Sequence, residues 1–232
     1  MKTHAFIFAR GGSKKLPKKN IKLLNGKPLI QYSIEVALQI SKIDKIFVST
    51  EDEVISKIAR SLGVEVINRP LELSLDDTPE WKAWQHAINW VKNKYGNFEQ
   101  FVSLPPTSPL RIANDVESAI TKKNYLNADV CIAVTPSNRN PYFNMVKSSN
   151  NLIELVNKSE KSITRRQDAP KIFDVTTIVY VANVDFILNK NYLFDGKITS
   201  IEIPKNRAID IDDIDDFNFA ETVIKNNLIK NN

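Results

Sequence analysis

Residues 4–20 read HAFIFARGGSKKLPKKN, and the fold follows from how that stretch is divided. HAFIFA (4–9) is a short apolar, β-rich run that stops at Gly11-Gly12. It predicts a buried first strand. The remainder holds Arg10, Lys14, Lys15, Lys18 and Lys19 without an acid. Two readings of that remainder stand: a solvated basic loop, or a cradle for several phosphates.

Working outward, PLIQYSIEVALQI has Pro28 at a first helical turn and Ile30, Ile34, Ala37 and Leu38 at helical spacing. KIFVST (45–50) predicts a strand. EDEVISKIARSLG then places Val54, Ile55, Ile58, Ala59 and Leu62 on one stripe, with Gly63 as the stop. VEVINRP (64–70) predicts a third strand, and residues 79–94 a helix with Trp84, Ala87, Ile88 and Val91 inward. FVSLPP (101–106) is a further strand, Asn114 or Asp115 caps a helix through 123, and ADVCIAV (128–134) is a buried strand. The alternation predicts an α/β fold, a mainly parallel sheet flanked by helices. Ligands of such sheets sit beyond the carboxyl ends of strands, where both RGGS and PPTSPLR fall.

From 136 to 174 the pattern is polar and aperiodic, an excursion from the sheet. VTTIVYVA (175–182) and ITSIEI (198–203) resume as strands. DFNFAETVIKNNLI closes the chain as a helix with Phe217, Ala220, Ile224 and Leu228 inward.

The 232 residues carry a net charge of +5 and suffice for one α/β domain. The excess is segregated. Residues 10–27 hold seven cations and no acid, whereas residues 210–216 hold five aspartates. That division suits an anion and its metal better than the broad basic face of a nucleic-acid binder. Cys131 is the only cysteine, so an intramolecular disulfide and a Cys-based zinc site are excluded. AFIFA is too short for a signal core, and no apolar run nears the ~20 residues of a membrane span. A cytoplasmic protein is expected.

Gly11 and Gly12 let backbone N–H groups approach an anion, Arg10 offers a planar fork, and Lys14 and Lys19 add mobile charges. Neither GxxxxGK[ST] nor GxGxxG is present. In NRAIDIDDIDD (206–216), Asp210 and Asp212 alternate with isoleucines and present oxygens suited to Mg²⁺. Asp213, Asp215 and Asp216 favour the start of the last helix.

ARGGSKKLPKKNIKLLNGKPLIQYSIEVAL, VSTEDEVISKIARSLGVEVINRP, PPTSPLR and AIDIDDIDDF, in that order along nearly the whole chain, resemble the CMP-sialic acid synthetase (acylneuraminate cytidylyltransferase) family. The resemblance implies a Rossmann-like nucleotidyltransferase fold in a single domain, residues 1–232. It implies that CTP is joined to the anomeric hydroxyl of a nine-carbon 2-keto acid with Mg²⁺, releasing pyrophosphate. It also implies a homodimer in which an excursion, here 136–174, reaches over the partner's site. By that likeness Arg10 and Lys19 hold the triphosphate with Gly11, Gly12, Ser13 and Lys14. Asn20 lies near the nucleotide, Arg69 contacts the cytidine, and Asp210 and Asp212 bind the metal. On the sugar side, Arg166, Tyr180 and Phe194 match family positions. Positioning and electrostatics carry such transfers, and no nucleophilic side chain is evident.

Three departures lie on that sugar side. PPTSPLR has Pro105 where the family usually has a glutamine, so an amide is lost. TTIVY has Thr176 and Thr177 where Asn-Gly is usual. A lysine expected near NPYFN is replaced by Phe143 or Asn144, with Arg139 nearby. These departures point to an acceptor other than plain N-acetylneuraminate: a legionaminic or pseudaminic acid, another modified nonulosonate, or Kdo or its 8-amino form. Rival readings are a sugar-1-phosphate nucleotidyltransferase and a noncatalytic nucleotide or RNA binder, which would have little use for Asp210 and Asp212. Trp81 stands near the start of its helix, where it either lines the site or packs. His86 reads as structural rather than as a base.

Overall fold

The computed structural model describes residues 1–159 and 163–226. The elements, in order, begin with β1 (Thr3–Phe8), a small hairpin of β2 (Leu23–Leu24) and β3 (Lys27–Pro28), α1 (Leu29–Leu38), β4 (Lys45–Thr50), α2 (Glu53–Ser61) and β5 (Glu65–Asn68). Next come α3 (Glu80–Tyr95), β6 (Gln100–Ser103), α4 (Ala113–Tyr125), β7 (Val130–Pro136) and a second hairpin of β8 (Val146–Ser149) and β9 (Leu152–Leu155). The chain continues through β10 (Phe173–Asn183), α5 (Val184–Asn189), β11 (Ile198–Glu202) and α6 (Ile214–Lys225).

The main sheet has seven strands in the order β11-β7-β10-β6-β1-β4-β5. Every neighbouring pair is parallel except those of β10, which runs antiparallel between β6 and β7. The antiparallel strand follows from the excursion. The chain leaves β7 at Pro136 and re-enters at Phe173 beside it, at the same end of the sheet, so β10 must run backwards. Between Thr176 and Tyr180 the register of β10 on β7 shifts. That irregularity re-aims the strand where it borders the ligand side.

Period two along β1 divides its side chains between two cores. Ala5 and Ile7 face α1, α2 and α4 with Ile34, Ile55 and Val116. Phe6 faces α3 and α5 with Phe47, Phe101, Trp84 and Ile187, its ring stacked 4.8 Å from that of Phe101. A third cluster joins α6, through Phe217 and Ala220, to Leu16 of the opening loop and to Ile211.

Most predicted faces hold, with local exceptions. Leu38 and Val54 are exposed at the rims of their stripes. Asp115 is not the cap of α4. The helix begins after Ile112, and Asp115 sits in its first turn, accepting a 3.0 Å bond from the Ile112 N–H. Leu228 lies outside the described residues. Asp52 caps α2, accepting from the Val54 and Ile55 N–H groups at 2.8 and 2.9 Å. Asp213 caps α6, with Asp216 reaching back to complete the box. The excursion is not wholly irregular, since β8 and β9 pair within it.

Candidate active site

Beyond the carboxyl ends of β1, β4, β5 and β6 lies a cleft of about 320 Å³. Arg10, Gly12, Ser13, Lys19 and Asn20 line it from the opening loop. Arg69 and Asp76 line it from the segment between β5 and α3, Glu80 from the first turn of α3, and Pro105 and Thr107 from the loop that follows β6. Thr177 and Tyr180 reach it from β10.

Lys18 takes a left-handed conformation (φ 55°) and starts a single 3₁₀ turn that carries Lys19 and Asn20 into the cleft. Asn20 is buried and donates its side-chain amide to the Arg10 carbonyl at 2.9 Å, which closes the loop on itself. Lys19 reaches across the cleft. Its ammonium donates to the Ile211 carbonyl at 2.5 Å and lies 3.5 Å from Asp212. The basic loop and the aspartate segment, 192 residues apart, are therefore tied by one side chain.

The aspartate segment is seated by its own alternation. Ile211 is fully buried, and its N–H donates to the Thr107 carbonyl at 2.8 Å. Asp210 and Asp212 point outward on either side. Among the described residues, no cluster of three or more His, Cys, Asp or Glu is placed to hold a metal.

Arg10, Lys14 and the Gly11 N–H of the opening loop are held by carboxylates. Asp76 bridges Arg10 and Lys14, the latter at 2.6 Å. These two cations hold the Asp76 carboxyl below its usual pKa, the Lys14 bond being the larger cause. Glu51 accepts a 2.6 Å bond from the Gly11 N–H. The two glycines differ in purpose. A Cβ on Gly11 would meet an Asp52 carboxylate oxygen at 2.5 Å, whereas the space above Gly12 is open.

Arg69 is buried, donates to the Ser49 carbonyl and stands 6.0 Å from the Phe8 ring. Burial lowers its pKa, and Glu51 and Glu80 oppose that shift. Its Nε–H has no partner among the described residues. An unsatisfied buried donor costs about 1–3 kcal/mol, so a ligand that accepts from it gains in proportion. Burial raises Tyr180 to about 12, with Glu80 and Asp210 adding to the shift. Glu80 lines the cleft with part of its surface in solvent. Desolvation by the surrounding protein raises its carboxyl pKa, and Asp210 pushes the same way.

Three residues matched to the sugar side lie elsewhere in this chain. Thr176 is buried and donates to the Ala133 carbonyl at 3.1 Å, so its neighbour Thr177 is the threonine at the cleft. Phe194 is exposed beside Tyr192. Arg166 lines a separate cavity of about 620 Å³ in the excursion with Arg139 and Lys171, and donates to the Ser137 carbonyl at 3.1 Å. Trp81 donates to the Lys190 carbonyl at 2.7 Å and braces α5. His86 is half-buried with its pKa lowered by burial and is not among the cleft residues.

Sequence reasoning missed Asp76, Glu51, Glu80 and Arg111. Arg111, the last residue of PPTSPLR, is buried and donates to Ser33 Oγ at 2.8 Å, to the Pro105 carbonyl at 2.8 Å and to the Thr177 carbonyl at 3.2 Å. It also donates to the Ile178 carbonyl. One guanidinium therefore fixes the Pro105 turn to β10. Burial lowers its pKa to about 9. Nearby, a buried Arg207–Asp115 ion pair anchors the chain leading into Asp210. An arginine ending a proline-rich turn was the available signal, but its acceptors are backbone carbonyls that no residue type announces.

A basic loop beyond the carboxyl end of β1, joined through Lys19 to an aspartate-rich segment, is an arrangement suited to nucleotidyl transfer on an α/β sheet. The chain belongs to the cytidylyltransferase family, whose model matches residues 4–228. It is 34% identical over 222 residues to the CMP-N,N'-diacetyllegionaminic acid synthase of Campylobacter jejuni, covering 94% of this chain and 93% of that protein. It is 32% identical over 232 residues to a pseudaminic acid cytidylyltransferase of the same species, covering 98% of each. A solved CMP:2-keto-3-deoxy-manno-octonic acid synthetase bound to CTP superposes with a TM-score of 0.73 at 16% identity, over 98% of this chain and 100% of that one. That likeness is one of fold.

Proposed function

We propose that the protein transfers the cytidylyl group of CTP to the anomeric hydroxyl of a sialic-acid-like nonulosonate other than plain N-acetylneuraminate. The hydroxyl oxygen attacks the α-phosphorus, the bond to the bridging oxygen breaks, and pyrophosphate leaves. The acceptor's hydroxyl proton is lost to solvent. The observation that carries the reading is the joining of the lysine-rich loop to the Asp210–Asp212 segment through Lys19 at one cleft.

Arg10, Lys14 and Lys19 hold the triphosphate in this reading. Gly12 and Ser13 leave room for its approach, and Asn20 keeps the loop closed. Arg69 offers its unpartnered Nε–H to the nucleotide. Asp210 and Asp212 fit Mg²⁺, because that ion is usually held by one or two carboxylates and completed by substrate phosphates and water. When bound, the metal neutralises charge at the α-phosphate and lowers the pKa of the attacking hydroxyl.

Pro105, Thr177 and Tyr180 form the acceptor side. Pro105 gives no side-chain hydrogen bond where an amide is usual, so the acceptor is a different acid. Relatives named for legionaminic and pseudaminic acids support this choice. Arg166 stands in the excursion and not in its own chain's cleft, which favours a homodimer in which it serves the partner's acceptor. The hairpin in that excursion exposes Leu152 and Ile153, apolar surface that a second copy would cover. No described helix is long and apolar enough to cross a membrane. We place the enzyme in the cytoplasm, where CTP is made.

The test is pyrophosphate release with CTP and Mg²⁺ against N,N'-diacetyllegionaminate, pseudaminate, N-acetylneuraminate, Kdo and 8-amino-Kdo. Release with one of the first two is expected. A kcat/KM for N-acetylneuraminate equal to or above the others overturns the acceptor assignment.

A further inference from the structure

Asp76 occupies the position that an anionic ligand would take. One of its carboxylate oxygens pairs with Arg10 Nη1, and the other lies 2.6 Å from Lys14 Nζ. A two-oxygen acceptor spanning two cations is what a phosphate presents. Arg10 also donates to the Ser74 carbonyl at 3.4 Å, and Ser74 Oγ donates to Glu51 at 2.7 Å. The carboxylate is thus delivered by a short segment hooked to the loop it neutralises.

That segment is lightly held. Leu71 and Leu75 are 72% and 57% exposed, so little apolar burial resists its displacement. Asp77, the next residue, is exposed and makes no ion pair with the opening loop. The anion seat is therefore filled by one particular carboxylate rather than by a diffuse acidic patch.

We propose that Asp76 is an internal competitor for the triphosphate, setting nucleotide affinity and recapturing Arg10 and Lys14 as pyrophosphate leaves. The inference rests on the assignment of these two cations to phosphate binding. Ligands that reach Arg10 and Lys14 must displace Asp76, whereas a nucleoside without phosphates need not. Asp76 therefore weakens CTP and pyrophosphate and leaves cytidine alone. It also lowers product inhibition by pyrophosphate, since the leaving anion meets a rival for its site.

The experiment is calorimetric binding of CTP, pyrophosphate and cytidine to wild type, Asp76→Asn and Asp77→Asn. Two partly exposed ion pairs predict about 3- to 10-fold tighter CTP and pyrophosphate binding in Asp76→Asn. Cytidine should be unchanged, and Asp77→Asn should resemble wild type. Inhibition by pyrophosphate should tighten by the same factor as its binding. Unchanged pyrophosphate affinity in Asp76→Asn overturns the inference, as does equal tightening of cytidine or equal tightening by Asp77→Asn. If wild type binds no CTP, the proposed function fails, and the pyrophosphate arm still decides the role of Asp76.

Discussion

At the scale of the residue, two side chains carry the proposed site and two carry its geometry. Arg10→Ala and Asp212→Ala should each lower kcat/KM by about 100-fold or more while leaving the melting temperature within a few degrees, since preorganised charge supplies terms of that size. Near-normal turnover with either variant would remove that residue from the site. Pro105→Gln should restore an amide at the acceptor side, changing acid preference with little effect on the KM for CTP. Arg111→Met should instead act on stability. It strands several buried carbonyl oxygens, and a loss of about 2–4 kcal/mol in denaturant unfolding is expected. Glu80 gives a sign that can be checked. Its pKa is raised in the folded state, so the stability it contributes is full at low pH and is lost as pH rises through the folded value. Glu80→Gln should therefore melt higher than wild type at pH 8, and the difference should vanish below the carboxylate range.

At the scale of the element, the strands were legible wherever an apolar run was short and bounded. KIFVST became β4 residue for residue. The start of the last helix was legible in Asp213, Asp215 and Asp216, of which Asp213 is the cap, whereas the cap that Asp52 gives α2 was not read. The start of α4 was misread, because the acid of the first turn bonds back to the Ile112 N–H instead of capping. The direction of β10 was not legible, because it depends on which edge the excursion returns to and not on any residue in the strand. The shift in its register had the same origin. It brings Thr177 and not Thr176 to the cleft, a choice that alternation alone cannot make once the period is interrupted. At α2, Gly11→Ala would drive a methyl against the Asp52 cap. It should cost about 1 kcal/mol, the typical worth of such a cap, besides disturbing the cradle.

At the scale of the whole molecule, charge is what the sequence revealed and what the fold used. Of the seven cations near the start, Arg10 and Lys19 line the cleft, and Lys19 ties it to the aspartate segment near the end through Ile211 and Asp212. What composition could not reveal was that Arg10 and Lys14 are already matched by Asp76, and the Gly11 N–H by Glu51, acids from neighbouring loops. Arg166 and Phe194 are placed outside this chain's cleft, so an acceptor site that uses them needs a second copy. Light scattering should give twice the 26.4 kDa chain mass. Ile153→Asp, on the exposed hairpin, should return the mass to one chain and lower activity together. A monomeric wild type with full activity would refute that arrangement.

The proposed activity requires the loop beginning at Arg10 to hold the triphosphate of CTP. Calorimetric titration of CTP, with UTP as the control, into wild type and a folded Arg10→Ala variant tests it most directly. Wild type should bind CTP selectively and the variant at least about 10-fold more weakly, the loss expected for a charge-assisted contact. Equal affinity in the two proteins, or no preference for CTP over UTP, would contradict it.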